Sequence, residues 1–141
     1  MDVIEIVKKD HDKVEELFAR FKGGGGITGL LNRVTGNVTP RQRKTAVQGI
    51  CRELDLHAKL EEAILYPAAR ATGDGELQRM IDESLREHAR VKEMVADLRD
   101  HDYDPEALDT RVNALEECVN HHVREEENEM LPRIEEVMPD A

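Results

Sequence analysis

The 141-residue sequence contains no tryptophan, and its aromatic residues amount to only 3% of the chain. Its core must therefore consist mainly of Leu, Val, Ile, Met and Ala side chains. The two cysteines, Cys51 and Cys118, are too few for a disulfide framework, and we expect buried, reduced thiols, since nothing in their spacing supports a redox role. No stretch approaches the roughly eighteen apolar residues of a membrane span. Because the first five residues also lack the pattern of a signal peptide, we expect a cytoplasmic protein.

Basic residues are in the minority: 20 Lys and Arg stand against 31 Asp and Glu, which gives a net charge of −11. Nucleic acids and anionic membranes require a basic binding face, so we expect neither as a partner. The chain is 39% hydrophobic and 36% charged, which suits amphipathic helices in a globular protein rather than disorder. At this length, residues 1–141 are expected to form a single domain.

Apolar residues recur at alternating steps of three and four in four segments, which predicts four amphipathic helices. These run over about 3–22, from 39–40 onward, over about 76–99, and from 104–105 onward. Pro67 and Pro132 should kink or end the second and fourth helices. Two short turns and one longer loop between such helices predict an all-α, antiparallel up-down-up-down four-helix bundle. The sequence repeat between its halves predicts a pseudo-twofold arrangement of two helical hairpins.

A run of glycines, Gly23–Gly26, should end the first helix, and we interpret residues 23–38 as a loop insert. We expect a flexible connector with a few hydrophobic anchors; the helical spacing of four apolar residues also allows a short amphipathic turn, or lid, over the end of the bundle. These four residues are Ile27, Leu30, Leu31 and Val34.

The two halves of the chain repeat the same pattern. His57 is followed by Glu61 and Glu62, and His122 is followed in the same spacing by Glu126 and Glu127. Residues four apart lie on one face of a helix, so each of these two His-x-x-x-Glu motifs presents an imidazole beside a carboxylate. One further histidine precedes each motif in the chain, and an acidic residue stands directly before that histidine. These pairs are Asp10 with His11 and Glu87 with His88.

Six of these residues lie on the predicted apolar seams of the helices, where a bundle buries its side chains. They are His11, His57, Glu61, His88, His122 and Glu126. A buried carboxylate without a partner costs several kcal/mol, and bound cations would remove that cost. Satisfied core polar groups would explain one such histidine, but not six residues in register. Imidazole and carboxylate without thiolate suit iron, manganese or zinc, and six ligands over two ions leave open positions.

The pattern resembles the hemerythrin-like family of HHE cation-binding domains, over almost the whole chain from Asp10 to Pro132. The resemblance implies two non-haem iron ions, bridged by carboxylates and an oxo or hydroxo group. It implies that His11 and His57 bind one iron and that Glu61 and Glu126 bridge the two. His88 and His122 would then bind the other iron. No catalytic residue is expected beyond these ligands.

The sequence also departs from the oxygen-carrying hemerythrins that it resembles. They have a fifth histidine four residues after the third, where this chain has Lys92, and an Asp at the position of Glu127. One iron could then take an extra ligand, such as water, Glu62, Glu127 or a tyrosine. For Tyr66 and Tyr103 we otherwise expect packing or surface roles. His101 and His121 are expected at the surface, the latter with packing at a helix interface or an indirect role near the metal as alternatives.

The resemblance implies a diiron protein that reacts with hydrogen peroxide, nitric oxide or dioxygen. Peroxide decomposition, of a catalase-like kind, or a role in oxidative or nitrosative stress is the leading hypothesis. The alternatives are oxygen binding or storage, and iron binding or sensing, without turnover. Ferritin-like diiron proteins use Glu-x-x-His pairs, and this chain has no Glu three residues before any His. The oligomeric state stays open.

Overall fold

The computed structural model describes residues 2–23 and 39–139, and within them all regular secondary structure is helical, without strands. The α-helices are α1 Val3–Phe21, α2 Pro40–Leu60, α3 Tyr66–Arg70, α4 Gly75–Asp100, α5 Pro105–Glu125 and α6 Leu131–Val137. A first π-helical segment, Glu61–Leu65, joins α2 to α3, and a second, Glu126–Met130, joins α5 to α6. Four long helical stretches result, and the predicted all-α bundle is confirmed. The amphipathic turn considered within the loop insert lies outside the described residues.

Each long helix begins at a side chain that caps its first turn. The carboxylates of Asp2, Asp74 and Asp104 each accept a hydrogen bond from the backbone N–H three residues ahead. Thr39 does the same and receives a reciprocal bond from the Gln42 side chain. These bonds satisfy N–H groups that have no partner within the helix, so the predicted starts of the second and fourth helices are confirmed.

The apolar core forms two clusters, one toward each end of the bundle. One contains Phe18 and Phe21, each 1% exposed, which supply much of the bulk that tryptophan would otherwise provide. The other contains Leu77 and Ile81, both fully buried, together with residues from both π segments. Burying side chains of this size contributes about 1.5–3 kcal/mol each. The polar residues on the seams lie between the two clusters.

The sequence prediction was wrong at the end of the second helix. The alternating steps of three and four that run through His57 and Glu61 predict a core position for Ile64, but 54% of Ile64 is exposed, and Leu65 and Tyr66 are buried instead. The cause is the first π segment, in which the Tyr66 N–H bonds to the Glu61 carbonyl, five residues back. This wider turn adds one residue and so moves the buried face forward.

The prolines do not end the helices at once. Pro67 and Pro132 are each the second residue of a short α-helix that directly follows a π segment. Proline lacks the N–H that bonds to the carbonyl four residues back in an α-helix. In both places the wider π-helical turn lies directly before the short helix that contains the proline. Among the described residues, no helix combines the length and apolarity needed to cross a bilayer.

Candidate metal centre

All six residues predicted from the seams meet at the middle of the bundle. None of them is more than 7% exposed, and Glu61 is fully buried. They form two groups, within each of which the candidate ligand atoms lie within 4.8 Å of one another. The groups are His11, His57 and Glu126, and Glu61, His88 and His122. The histidine pairs expected from the resemblance are therefore the pairs that the fold brings together.

Each buried carboxylate faces histidines of both groups. Glu61 Oε1 lies 2.9 Å from His57 Nε2 and 3.2 Å from His88 Nε2. Glu126 Oε1 lies 3.1 Å from His11 Nε2, and its Oε2 lies 3.3 Å from His122 Nε2. Both glutamates are the first residue of a π segment. The two carboxylates therefore occupy positions from which each could bridge a pair of ions.

The outer nitrogen of every buried histidine faces a second carboxylate. The Nδ1 atoms of His11, His57, His88 and His122 lie 3.0, 3.3, 2.8 and 2.9 Å from Glu127, Asp10, Glu62 and Glu87, respectively. A carboxylate only accepts hydrogen bonds, so each Nδ1 must carry a proton. In a neutral imidazole the Nε2 atom is then a lone-pair acceptor, and all four Nε2 atoms point into the centre.

In the centre, hydrogen-bond acceptors therefore face one another. His11 Nε2 and His57 Nε2 are 3.1 Å apart, and His88 Nε2 and His122 Nε2 are 3.2 Å apart. Within the described part of the chain, the buried Oε1 atoms of Glu61 and Glu126 have no hydrogen-bond donor. Such an arrangement is unfavourable unless positive charge occupies it. The donor set of four neutral nitrogens and two carboxylates therefore fits a pair of transition-metal cations.

Without metal, protons must supply that charge. Burial by itself would lower the pKa of His57, but its hydrogen bond to Glu61 and the charges of Glu61 and Glu126 outweigh this and raise the pKa to about 9. The same balance of burial against Glu126, Glu61 and Glu87 raises the pKa of His122. Burial would raise the pKa of Glu61, yet its hydrogen bonds to the neighbouring groups hold that pKa well below the usual range.

Tyr66 belongs to the centre, contrary to the expectation of a packing or surface role. Its hydroxyl lies 2.8 Å from Glu126 Oε2 and 3.1 Å from Glu61 Oε2, and 3.4 Å from His88 Nε2. Burial, followed by the charges of both glutamates, raises the pKa of this hydroxyl, so it stays protonated and donates. The regular helical spacing could not predict this position for Tyr66, because a residue five positions after Glu61 reaches the seam only through the first π segment.

The other residues singled out from the sequence lie around the centre or away from it. Glu62 and Glu127, considered as extra metal ligands, accept hydrogen bonds from the Nδ1 atoms of His88 and His11. The Nζ of Lys92, at the position of the fifth histidine of oxygen carriers, lies 2.9 Å from Glu62 Oε1. Tyr103 lies away from the centre and donates to Asp97.

The remaining histidines and cysteines are outside the centre. The side chains of His101 and His121 are both 60% exposed, as expected. Cys51 is buried, and burial raises the pKa of its thiol. Cys118 is only half-buried, contrary to expectation.

A cavity of about 40 Å³ adjoins the four histidines. The histidines form one wall, and the remaining lining is mostly aliphatic, with Asp55 and Lys92 as its charged members. The aliphatic residues are Val14, Leu54, Ala58, Val91, Val95, Val119 and Val123. A space of this size and polarity suits a molecule of two or a few atoms.

Comparisons with known proteins agree with this geometry. The model of the Hemerythrin HHE cation binding domain family matches residues 2–134. A curated relative described as a DNA nickase, from Nostoc sp. (strain PCC 7120 / SAG 25.82 / UTEX 2576), is 25% identical over 135 residues. The alignment covers 95% of this chain but 34% of the relative, so the chain spans about a third of that protein's length. No solved structure matches significantly.

Proposed function

This chain belongs to the Hemerythrin HHE cation binding domain family, and we propose that it is a non-haem diiron protein that reacts with small oxidants. His11 and His57 would hold one iron, and His88 and His122 the other. Glu61 and Glu126 would bridge the two. When bound, such an iron pair supplies electrons and open coordination positions for a small oxidant.

The protein's own residues would perform the supporting tasks. The outer carboxylates keep the proton of each imidazole on Nδ1, so that Nε2 is free as a ligand. The Tyr66 hydroxyl, 2.8 Å from Glu126 Oε2, holds a proton and fixes the orientation of that carboxylate. The two apolar clusters on either side exclude bulk water from the centre.

The observation that carries the proposal is the small cavity beside the four histidines. A closed structural site has no need of space next to its ligands, whereas a reactive centre needs room for its substrate. The aliphatic lining favours small uncharged molecules, among which are dioxygen, nitric oxide and hydrogen peroxide. We place peroxide decomposition first and reversible dioxygen binding second.

The test is the rate of oxygen evolution from hydrogen peroxide by protein reconstituted with ferrous iron. We expect a rate well above that of the same concentration of free iron, and its loss in His57→Ala. Val91→Phe should fill the cavity and lower the rate while the bound iron stays unchanged. Leu56→Ala, on the exposed face of α2, is the control and should leave the rate as it is.

Each other outcome points to a different function. A reversible optical change with dioxygen, together with little turnover of peroxide, would favour oxygen binding or storage. Iron uptake and release without either response would favour an iron store or sensor. A preparation that takes up only zinc and shows no visible absorption would overturn the oxidant chemistry altogether.

We do not extend DNA nicking to this chain. The relative described as a DNA nickase is about three times as long as the matched region, so its activity can reside outside the shared domain. The net charge of −11 also opposes binding to a phosphate backbone.

A further inference from the structure

A third group of metal-binding side chains lies at the surface beside the buried centre. It consists of His121, Glu87 and Glu125, whose ligand atoms lie within 4.8 Å of one another. His121 Nε2 is 3.0 Å from Glu125 Oε1 and 3.4 Å from Glu87 Oε2. The His121 side chain is 60% exposed and the two glutamates are partly exposed, so water can complete the coordination of an ion.

Glu87 connects this surface group to the buried centre. Its Oε1 lies 2.9 Å from His122 Nδ1, while its Oε2 faces His121. The two oxygens of one carboxylate therefore serve two different imidazoles, one buried and one exposed. An ion bound to Glu87 Oε2 would therefore be connected to His122 through the Glu87 carboxylate alone.

The internal repeat marks this group as a departure from the shared pattern. His122 corresponds to His57, so the counterparts of His121 and Glu125 in the first half are Leu56 and Leu60. Leu56 is 50% exposed, so the fold tolerates an aliphatic side chain at this surface position. The bundle itself therefore does not require an imidazole at this position, and His121 is free to serve another purpose.

We propose that His121, Glu87 and Glu125 bind one divalent transition-metal ion at the surface, separate from the two ions of the buried centre. One imidazole and two carboxylates suit Mn²⁺, Fe²⁺ or Zn²⁺ rather than a soft ion such as Cu(I). The site stands on its own geometry and does not depend on oxidant chemistry at the buried centre.

The experiment counts the Mn²⁺ ions bound per chain, from the loss of the electron paramagnetic resonance signal of free Mn²⁺. The metal-free chain of residues 1–141 is compared with His121→Leu/Glu125→Leu, which copies the surface of the first half, and with Glu125→Gln, which keeps the surface polar. We expect the double variant to bind one ion fewer than the unmodified protein and Glu125→Gln to bind that ion more weakly. Both variants should keep the helical circular dichroism and the thermal stability of the unmodified chain.

His101→Leu is the matched control. His101 is 60% exposed and has an acidic neighbour four residues away, Asp97, in the same way that His121 has Glu125. It lacks a second carboxylate in its group among the described residues, so its removal should leave the count unchanged.

The proposal is overturned if the double variant binds as many ions, with the same affinity, as the unmodified protein. An equal loss in His101→Leu would also overturn it, because any exposed histidine beside an acid would then account for the binding. A buried centre that fails to bind would lower the count equally in every variant, and the difference between them would still report on the surface site.

Discussion

The two halves of the chain agree in the centre of the bundle and differ around it. Both provide two inward histidines, one buried carboxylate that faces both histidine groups, and two outer carboxylates at equivalent positions. Next to the centre, however, Tyr66 in the first half stands where the second half has Leu131, and Leu56 stands where the second half has His121. The inner set is therefore the part that the two halves have in common, while its surroundings differ from one half to the other.

The largest effect is expected from removing one of the two carboxylates that face both histidine groups. Because Glu126 faces His11 in one group and His122 in the other, Glu126→Ala should abolish the binding of both ions. His57→Ala should instead remove one, and leave about one iron per chain against about two in the unmodified protein. Elemental analysis after reconstitution with ferrous iron gives the counts.

Glu61→Ala is the matched variant in the other half and should behave like Glu126→Ala, since Glu61 also faces both groups. If either alanine variant kept one tightly bound ion, the carboxylate would belong to a single ion and the bridging role would be wrong. Circular dichroism of each variant checks that the bundle is folded.

The dependence of stability on pH tests both halves, because the histidines of the two repeated motifs, His57 and His122, both have a raised pKa. The pKa of His57 is about 9 in the folded, metal-free protein against an ordinary value of 6.5. Its bound proton stabilises the folded state fully below pH 6.5, and this stabilisation is lost as the pH rises toward 9. The thermal midpoint of the metal-free protein should therefore fall between these values.

Metal binding should have the opposite dependence, because the ion displaces that proton. The apparent affinity should rise about tenfold per pH unit for each displaced proton, up to about pH 9. Addition of Zn²⁺ to weakly buffered, metal-free protein at pH 7.5 should release acid, and His57→Ala should release less. A thermal midpoint independent of pH, or binding without proton release, would contradict the charge balance described for the centre.

Much of this arrangement could be predicted from the sequence, because it rests on regular spacing. The helical period placed all six inner residues on buried seams, and the family resemblance named the two histidine pairs that the fold brings together. Ile64 and Tyr66 could not be placed in this way, because a π segment depends on how the surrounding chain packs and changes the period locally.

The outer carboxylates illustrate the same limit. The acidic residues directly before His11 and His88 were visible in the sequence, but their partners are histidines 47 and 35 residues away. Such pairs depend on the relative rotation of packed helices, which the spacing within one helix does not determine.

The smallest expected difference between the halves concerns their outer carboxylates. Glu127→Gln and Glu62→Gln each remove the charged acceptor from one histidine Nδ1 and should weaken metal binding by about 10-fold to 100-fold. Glu62 also pairs with Lys92, which is 52% exposed, so Lys92→Met should change the free energy of unfolding by only about 0.2–1 kcal/mol. Competition with a chromophoric chelator measures the affinities. If Lys92→Met weakened metal binding as much as Glu62→Gln, the lysine would act on His88 through Glu62. The two halves would then differ in the control of metal affinity as well as in their surfaces.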